Sequence, residues 1–177
     1  NSSGTTTFGS TVNAASVTTN AAGDTVLNGN VTTTGAQTYN DAVSLAGNVT
    51  LRTTANNVIT FASTLRSLED QRFSASISAG SGVVNFMGYV GGFYEEKPDP
   101  SHLDYAALLI AYNANRRFDL GSLTVSANGA INLYGNIATT GNQTYNSDVT
   151  IAGNITLNST AGDIFFAKKI LSEVNQS

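Results

Sequence analysis

Cysteine is absent from all 177 residues, so the chain forms neither disulfides nor thiolate metal sites. The small disulfide-bonded scaffolds common among secreted proteins are thereby excluded. Charge is scarce: Asp, Glu, Lys and Arg make up 11% of the chain, less than half the usual share of about 25%. A basic surplus is missing too. The net charge of −4 disfavours a nucleic-acid partner and docking on anionic lipid, because both need clustered Lys and Arg. No apolar run approaches the roughly 20 residues needed to span a bilayer, so no membrane insertion is expected. The opening NSSGTTTFGS lacks the basic and apolar regions of a signal peptide. The expectation is a piece of a longer chain whose targeting signals lie elsewhere.

What remains is Gly, Ala, Ser, Thr and Asn, a composition suited to pleated, half-solvated strands. It is arranged as a repeat. Asn30 to Leu51 reads NVTTTGAQTYNDAVSLAGNVTL, and Asn136 to Leu157 reads NIATTGNQTYNSDVTIAGNITL. At this offset of 106, 14 of 22 positions are identical, and most of the rest are conservative swaps. Upstream, Ser16-Val17-Thr18 answers Ser122-Leu123-Thr124; downstream, Ile59-Thr60-Phe61-Ala62 answers Ile164-Phe165-Phe166-Ala167 after a one-residue gap.

A shorter period lies inside each copy. Gly29-Asn30-Val31-Thr32 recurs as Gly47-Asn48-Val49-Thr50, and Gly135-Asn136-Ile137 recurs as Gly153-Asn154-Ile155, with the same step in both. Runs such as VSL, VITF, VVNF, INL and VTI read as short alternating strands between Gly or Asn turns. A string of β-sandwich domains, with strands recurring roughly every 8 to 12 residues, is the competing fold. A single short step with near-identical turns at each end favours coil on coil instead. The fold expected is therefore all-β, a parallel β-helix with coils of about 18 to 25 residues. Inward aliphatic rows, stacked Asn amides at the turns and turn glycines at positive φ should accompany it. Val43 and Val149 are expected to point inward.

The TTGxQTYN core, Thr33 to Asn40 and Thr139 to Asn146, resembles the repeats of very large bacterial surface proteins, as do LGSLTVSANGAINL and the ITFAST-type segments. The relatives are filamentous-haemagglutinin-like adhesins, many of them two-partner-secretion exoproteins. The resemblance covers most of the chain except residues 93–119. It implies a right-handed parallel β-helical shaft, an extracellular or cell-surface location, and roles in adhesion, biofilm and virulence.

Residues 93–119, FYEEKPDPSHLDYAALLIAYNANRRFD, break the pattern. They hold 8 of the chain's 20 charged residues, both prolines and the one histidine. Without them the repeat offset falls to about four coils. The organisation expected is a single β-helix segment over 1–177: repeat unit one at 14–92, a loop-helix insertion at 93–119, and a partial unit two at 120–173. Ser101, with Asp104 three residues on, can cap a helix running to Asn115, with Arg116 and Arg117 at its C-terminal end. Leu103, Ala106, Ala107, Ile110, Ala111 and Ala114 form its apolar stripe. One role for the insertion is to shield a sheet edge. The other is to bind a partner through Tyr94, Glu95, Glu96, His102, Tyr105, Tyr112, Arg116 and Arg117, a mixed aromatic and charged surface. A host-cell receptor, a glycan or a matrix polysaccharide is the partner class, besides neighbouring repeats of the same chain.

Enzymatic chemistry is weighed and set aside. Cleavage of a polysaccharide needs converging acids, whereas Asp24, Asp41, Asp148 and Asp163 are scattered and none recurs in its repeat partner. Only Glu95, Glu96, Asp99 and Asp104 cluster. The Gly23-Asp24 stretch offers one carboxylate, too few for calcium, and no cofactor is expected. Sequons at Asn30, Asn48, Asn142, Asn154 and Asn158 follow from a chain rich in Asn and Thr. Regular Thr-x-Thr ranks of the ice-binding kind are missing. The reading is a structural or adhesive shaft; a carbohydrate- or receptor-binding module is the alternative, and a β-helix polysaccharide-active enzyme ranks below both.

Overall fold

The computed structural model describes residues 3–68, 70–92 and 119–173, and these form a parallel β-solenoid of about seven turns. Each turn contributes one short strand to each of three faces, A, B and C. The first coil holds β1 (Thr5–Phe8), β2 (Val12–Ala14) and β3 (Val17–Thr18). The second holds β4 (Asp24–Leu27), β5 (Val31–Thr33) and β6 (Gln37–Tyr39), and the third β7 (Ala42–Leu45), β8 (Val49–Thr53) and β9 (Ile59–Phe61). β10 (Leu65–Ser67), β11 (Ala75–Gly80) and β12 (Val84–Phe86) make the fourth. The fifth has β13 (Leu123–Ala127) and β14 (Ile131–Leu133), with Val90 and Leu120 as its face-A rung. The last two are β15 (Ile137–Thr139), β16 (Gln143–Tyr145) and β17 (Val149–Ile151), then β18 (Leu157–Ser159), β19 (Ile164–Phe166) and β20 (Ile170–Ser172).

All ladders between these strands are parallel, which rules out the sandwich. The coils are unequal in length: Thr25 pairs with Val43 on one face, whereas Leu51 pairs with the more distant Ile77 on another. Parallel pairing with no intervening helices is possible because the next strand on a face arrives only after a full turn.

Three-residue strands alternate buried, half-buried, buried, so two side chains per strand enter the core. Val43 and Val149 are fully buried, as expected. Rows of like residues stack along the axis. On face C the rings of Tyr39, Phe61 and Phe86 lie 5.2 and 5.3 Å apart and within 11° of parallel. That spacing is close to the strand separation of about 4.8 Å, so the ladder register itself holds the rings in contact.

The two sequence copies do not sit on the same faces. Copy one begins on face B with β5, while its counterpart β15 lies on face A. β6 is on face C and its counterpart β16 on face B. β15 is the tenth strand after β5, and the Val90/Leu120 rung adds one face more, so copy two starts eleven faces on, one short of four turns. The expected whole-coil spacing is thus corrected by one face. Tyr145 accordingly stacks on Phe166 on face B, with ring centroids 5.0 Å apart.

The TTGxQTYN motif tolerates this rotation because it satisfies its own polar groups inside one corner. Thr33 Oγ1 donates to Gly35 O at 2.6 Å, Gln37 Nε2 donates to Thr33 Oγ1 and to Arg52 O in the next coil, and Tyr39 Oη donates to Gln37 Oε1. Copy two repeats each bond: Thr139 to Gly141 O, Gln143 to Thr139 and to Asn158 O, and Tyr145 to Gln143 at 2.9 Å. Burial pushes both phenols well above the usual tyrosine range.

Turn chemistry differs from expectation in two ways. Of the glycines in the Gly-Asn pairs, only Gly153 has a positive φ. The others are needed for close approach: a Cβ on Gly135 would lie 2.7 Å from the Gly88 backbone. Turn asparagines cap rather than stack. Asn30, Asn48 and Asn136 each accept, through Oδ1, a backbone N–H from the following coil, at Thr50, Ser74 and Thr156.

Candidate contact surface at the base of the insertion

Val90 pairs with Ile137, and Leu120 with Thr139. Residues 91–119 therefore stand where the next coil has the single residue Ala138, so the insertion leaves from the middle of a face-A rung rather than from a corner. Its root is tightly built. Val90, Leu120 and Asp119 are buried. Gly91 donates to Leu65 O, and the Gly92 N–H donates to Asp119 Oδ1 at 3.1 Å. Gly91 has a φ of +65°, and any Cβ there would collide with Ala138 O.

Tyr94, Glu95, Glu96, His102, Tyr105, Tyr112, Arg116 and Arg117, and the helix expected from Ser101 to Asn115, lie outside the described residues. Among the described residues there is no helix.

Beside the root, at the corner between faces C and A, three large side chains are exposed: Met87 at 46%, Tyr89 at 42% and Tyr134 at 37%. Away from the last coil, Leu68 is the one other large apolar residue as open among the described residues. Met87 and Tyr134 directly follow the paired residues Phe86 and Leu133, so they are neighbours along the axis. Coils three and six have Ala62 and Ala152 at the same place, and the pair therefore stands above a low surround. Sequence reasoning passed over these residues. The signal was a bulky residue at an outward position where other coils carry alanine.

The adjoining outward row on face C runs Thr38, Thr60, Asn85, Asn132, Thr150. Asn85 Nδ2 donates to Thr60 Oγ1 at 3.1 Å and Asn132 Nδ2 to Asn85 Oδ1 at 2.8 Å, a short stacked-amide stretch of the expected kind on a face rather than at a turn. Tyr134 Oη reaches two coils on to Glu173 Oε1 at 3.1 Å, and this bond raises the phenol's pKa. The surface combines aromatic faces with neutral hydroxyls and amides.

The scattered acids are occupied in holding the fold. Asp41, buried, accepts from Thr19 Oγ1 at 2.5 Å and from Thr25 Oγ1 at 2.8 Å. Asp148 accepts from the Lys169 N–H, and Asp24 faces Arg66 at 3.9 Å. Among the described residues no group of three or more acids and histidines converges as a metal site would require. Three sequon asparagines, Asn30, Asn48 and Asn142, already serve as inter-coil acceptors.

Compared with protein-family models, curated proteins and solved structures, the chain matches none.

Proposed function

We propose that this chain is a shaft segment of a large bacterial surface or secreted adhesin, working outside the cell as a spacer and, at the insertion, as a contact surface. The observation that carries the reading is the corner motif, which closes its own hydrogen bonds on face C in one copy and on face B in the other. A unit indifferent to face can be repeated to build length, and length is what a shaft supplies. The resemblance of the same motif to filamentous-haemagglutinin-like repeats supports the adhesin context. Catalysis has no part in the reading; release of sugars from a polysaccharide by the purified chain would overturn that.

The test replaces residues 91–119 with one alanine, the residue the next coil has at that place. The shaft reading expects unchanged circular dichroism and melting; collapse of the fold would sink it. Adhesion of cells displaying the two forms, to host cells and to matrix polysaccharide, then decides whether the insertion contributes contact.

A second reading, a carbohydrate-binding module, is favoured by one specific observation, the exposed Tyr89 and Tyr134 beside the Asn85–Asn132 amides. Exposed aromatic rings bordered by neutral hydrogen-bonding groups suit an uncharged sugar. Tyr89→Ala with Tyr134→Ala should abolish retention on a neutral polysaccharide column; equal retention of variant and parent ends this reading.

A further inference from the structure

We propose that the chain associates head to tail with a second copy of itself, the first coil of one copy adding to the last coil of another as an eighth turn. The inference rests on stacking geometry alone, so a strictly monomeric chain would overturn it and leave the shaft reading standing.

Both ends of the stack are open among the described residues. β18, β19 and β20 each pair on one side only, as do β1, β2 and β3. The inward face-C row is fully buried at Val84, Ile131 and Val149 and then opens to 51% at Ile170. Ile164, Phe165 and Leu171 are exposed on the same coil. At the other end Phe8, Val12 and Ala14 are only partly covered. Solenoids ordinarily finish in a polar cap, and an uncovered strand edge is a template for another strand.

The first coil is the fitting occupant. It presents three unpaired edges of the same polarity, in the same order of faces, as the edges the last coil offers. Continuing the ladders sets Ile170 against Val17, Ile164 against Val12, and the Phe166 ring against the small Ala14. Residues 5–19 carry no charge, so nothing repels Lys168, Lys169 or Glu173 on the receiving coil. The contact reproduces the coil-to-coil interface already made six times within the chain.

Light scattering on the purified 177-residue chain should show mass rising with concentration. Lack of cysteine permits a register test. Phe165→Cys in one preparation and Asn13→Cys in another should cross-link on mixing, because adjacent parallel strands hold Cα atoms about 4.8 Å apart, within the disulfide range of about 4.4–6.8 Å. Neither preparation should cross-link alone. A monomer at all concentrations, or tail-to-tail Phe165→Cys dimers, overturns the proposal.

A blocking variant completes the test. The N–H groups of Val12, Val17 and Thr19 point to the second coil, so by parallel alternation those of Asn13 and Thr18 point outward. Asn13→Pro with Thr18→Pro removes only outward donors, leaving each copy's own ladder intact. With the β-sheet dichroism retained, oligomers should vanish; persistent oligomers would refute the docking site.

Discussion

Residues 30–51 and 136–157 share most of their sequence and none of their faces, whereas their immediate chemistry is the same. What travels with the sequence is the corner: a Thr that bonds the glycine carbonyl, a Gln that spans to the next coil, and a Tyr that closes on the Gln. What does not travel is the stack each tyrosine joins. Tyr39 heads a row of three rings in the body of the solenoid, while Tyr145 heads a row of two that runs out at the open end. The largest expected effect breaks the comparison there. Phe61→Ala should cost about 3–5 kcal/mol, since it empties the middle of a fully buried row. Phe166→Ala, only partly covered, should cost clearly less. Urea unfolding with hydrogen exchange on flanking strands measures both; equal losses would mean the last coil is covered in solution.

Next in size is the one motif position where the copies differ in kind. Asp41 takes two threonine hydroxyls, whereas Ser147 in its place donates to Ala127 O and accepts from the Ala127 N–H. Asp41→Ala should cost about 2–3 kcal/mol by stranding both hydroxyls. Ser147→Asp should be destabilising as well, because it sets a carboxylate against a buried carbonyl. A neutral outcome for either in thermal melts would show the corner to be looser than its distances.

Much of the architecture was legible because it rests on local rules. Alternating triplets such as ITF and VNF and the recurring Gly-Asn turns dictated short stacked strands, and Val43 and Val149 were read correctly as core. The face of each strand was not legible. Offset alone counts positions along the chain, and coils of unequal length absorb a missing third of a turn unseen. The roles of turn Asn and Gly were also hidden, since both depend on a neighbour one full coil away. Tyr89 and Tyr134 escaped notice because an exposed aromatic differs from a core aromatic only in strand phase. Residues 93–118 stand apart in composition, and their contribution rests on the sequence.

Smaller still, and designed to sharpen the likeness, are changes inside the corner. Gln37→Ala and Gln143→Ala should each cost about 1–3 kcal/mol, the loss of a buried bond and an orphaned phenol. The two losses should be similar despite the different faces. Alkali probes the same network. Folding raises the pKa of both tyrosines, so their contribution is complete below the ordinary value of about 10 and fades as the pH climbs from there toward the folded values. Stability should therefore fall above about pH 10, and Tyr39→Phe with Tyr145→Phe should flatten that fall. A pH-independent melting point between neutrality and strong alkali would contradict the burial of the phenols.

The least perturbing prediction concerns the contact surface rather than the core. Tyr134 and Glu173 meet across two coils at the exposed corner, and the hydrogen bond to the carboxylate, with burial and its negative charge adding, is what holds the phenol's proton more firmly than usual. Glu173→Gln keeps the shape and removes the charge. The Tyr134 phenol should then ionise closer to the ordinary tyrosine value, read by ultraviolet titration against Tyr134→Phe, with no measurable change in melting at neutral pH, as for most exposed pairs. A titration curve identical to the parent's would show that the ring does not engage Glu173 in solution, and that the aromatic corner is free to turn toward whatever the shaft meets.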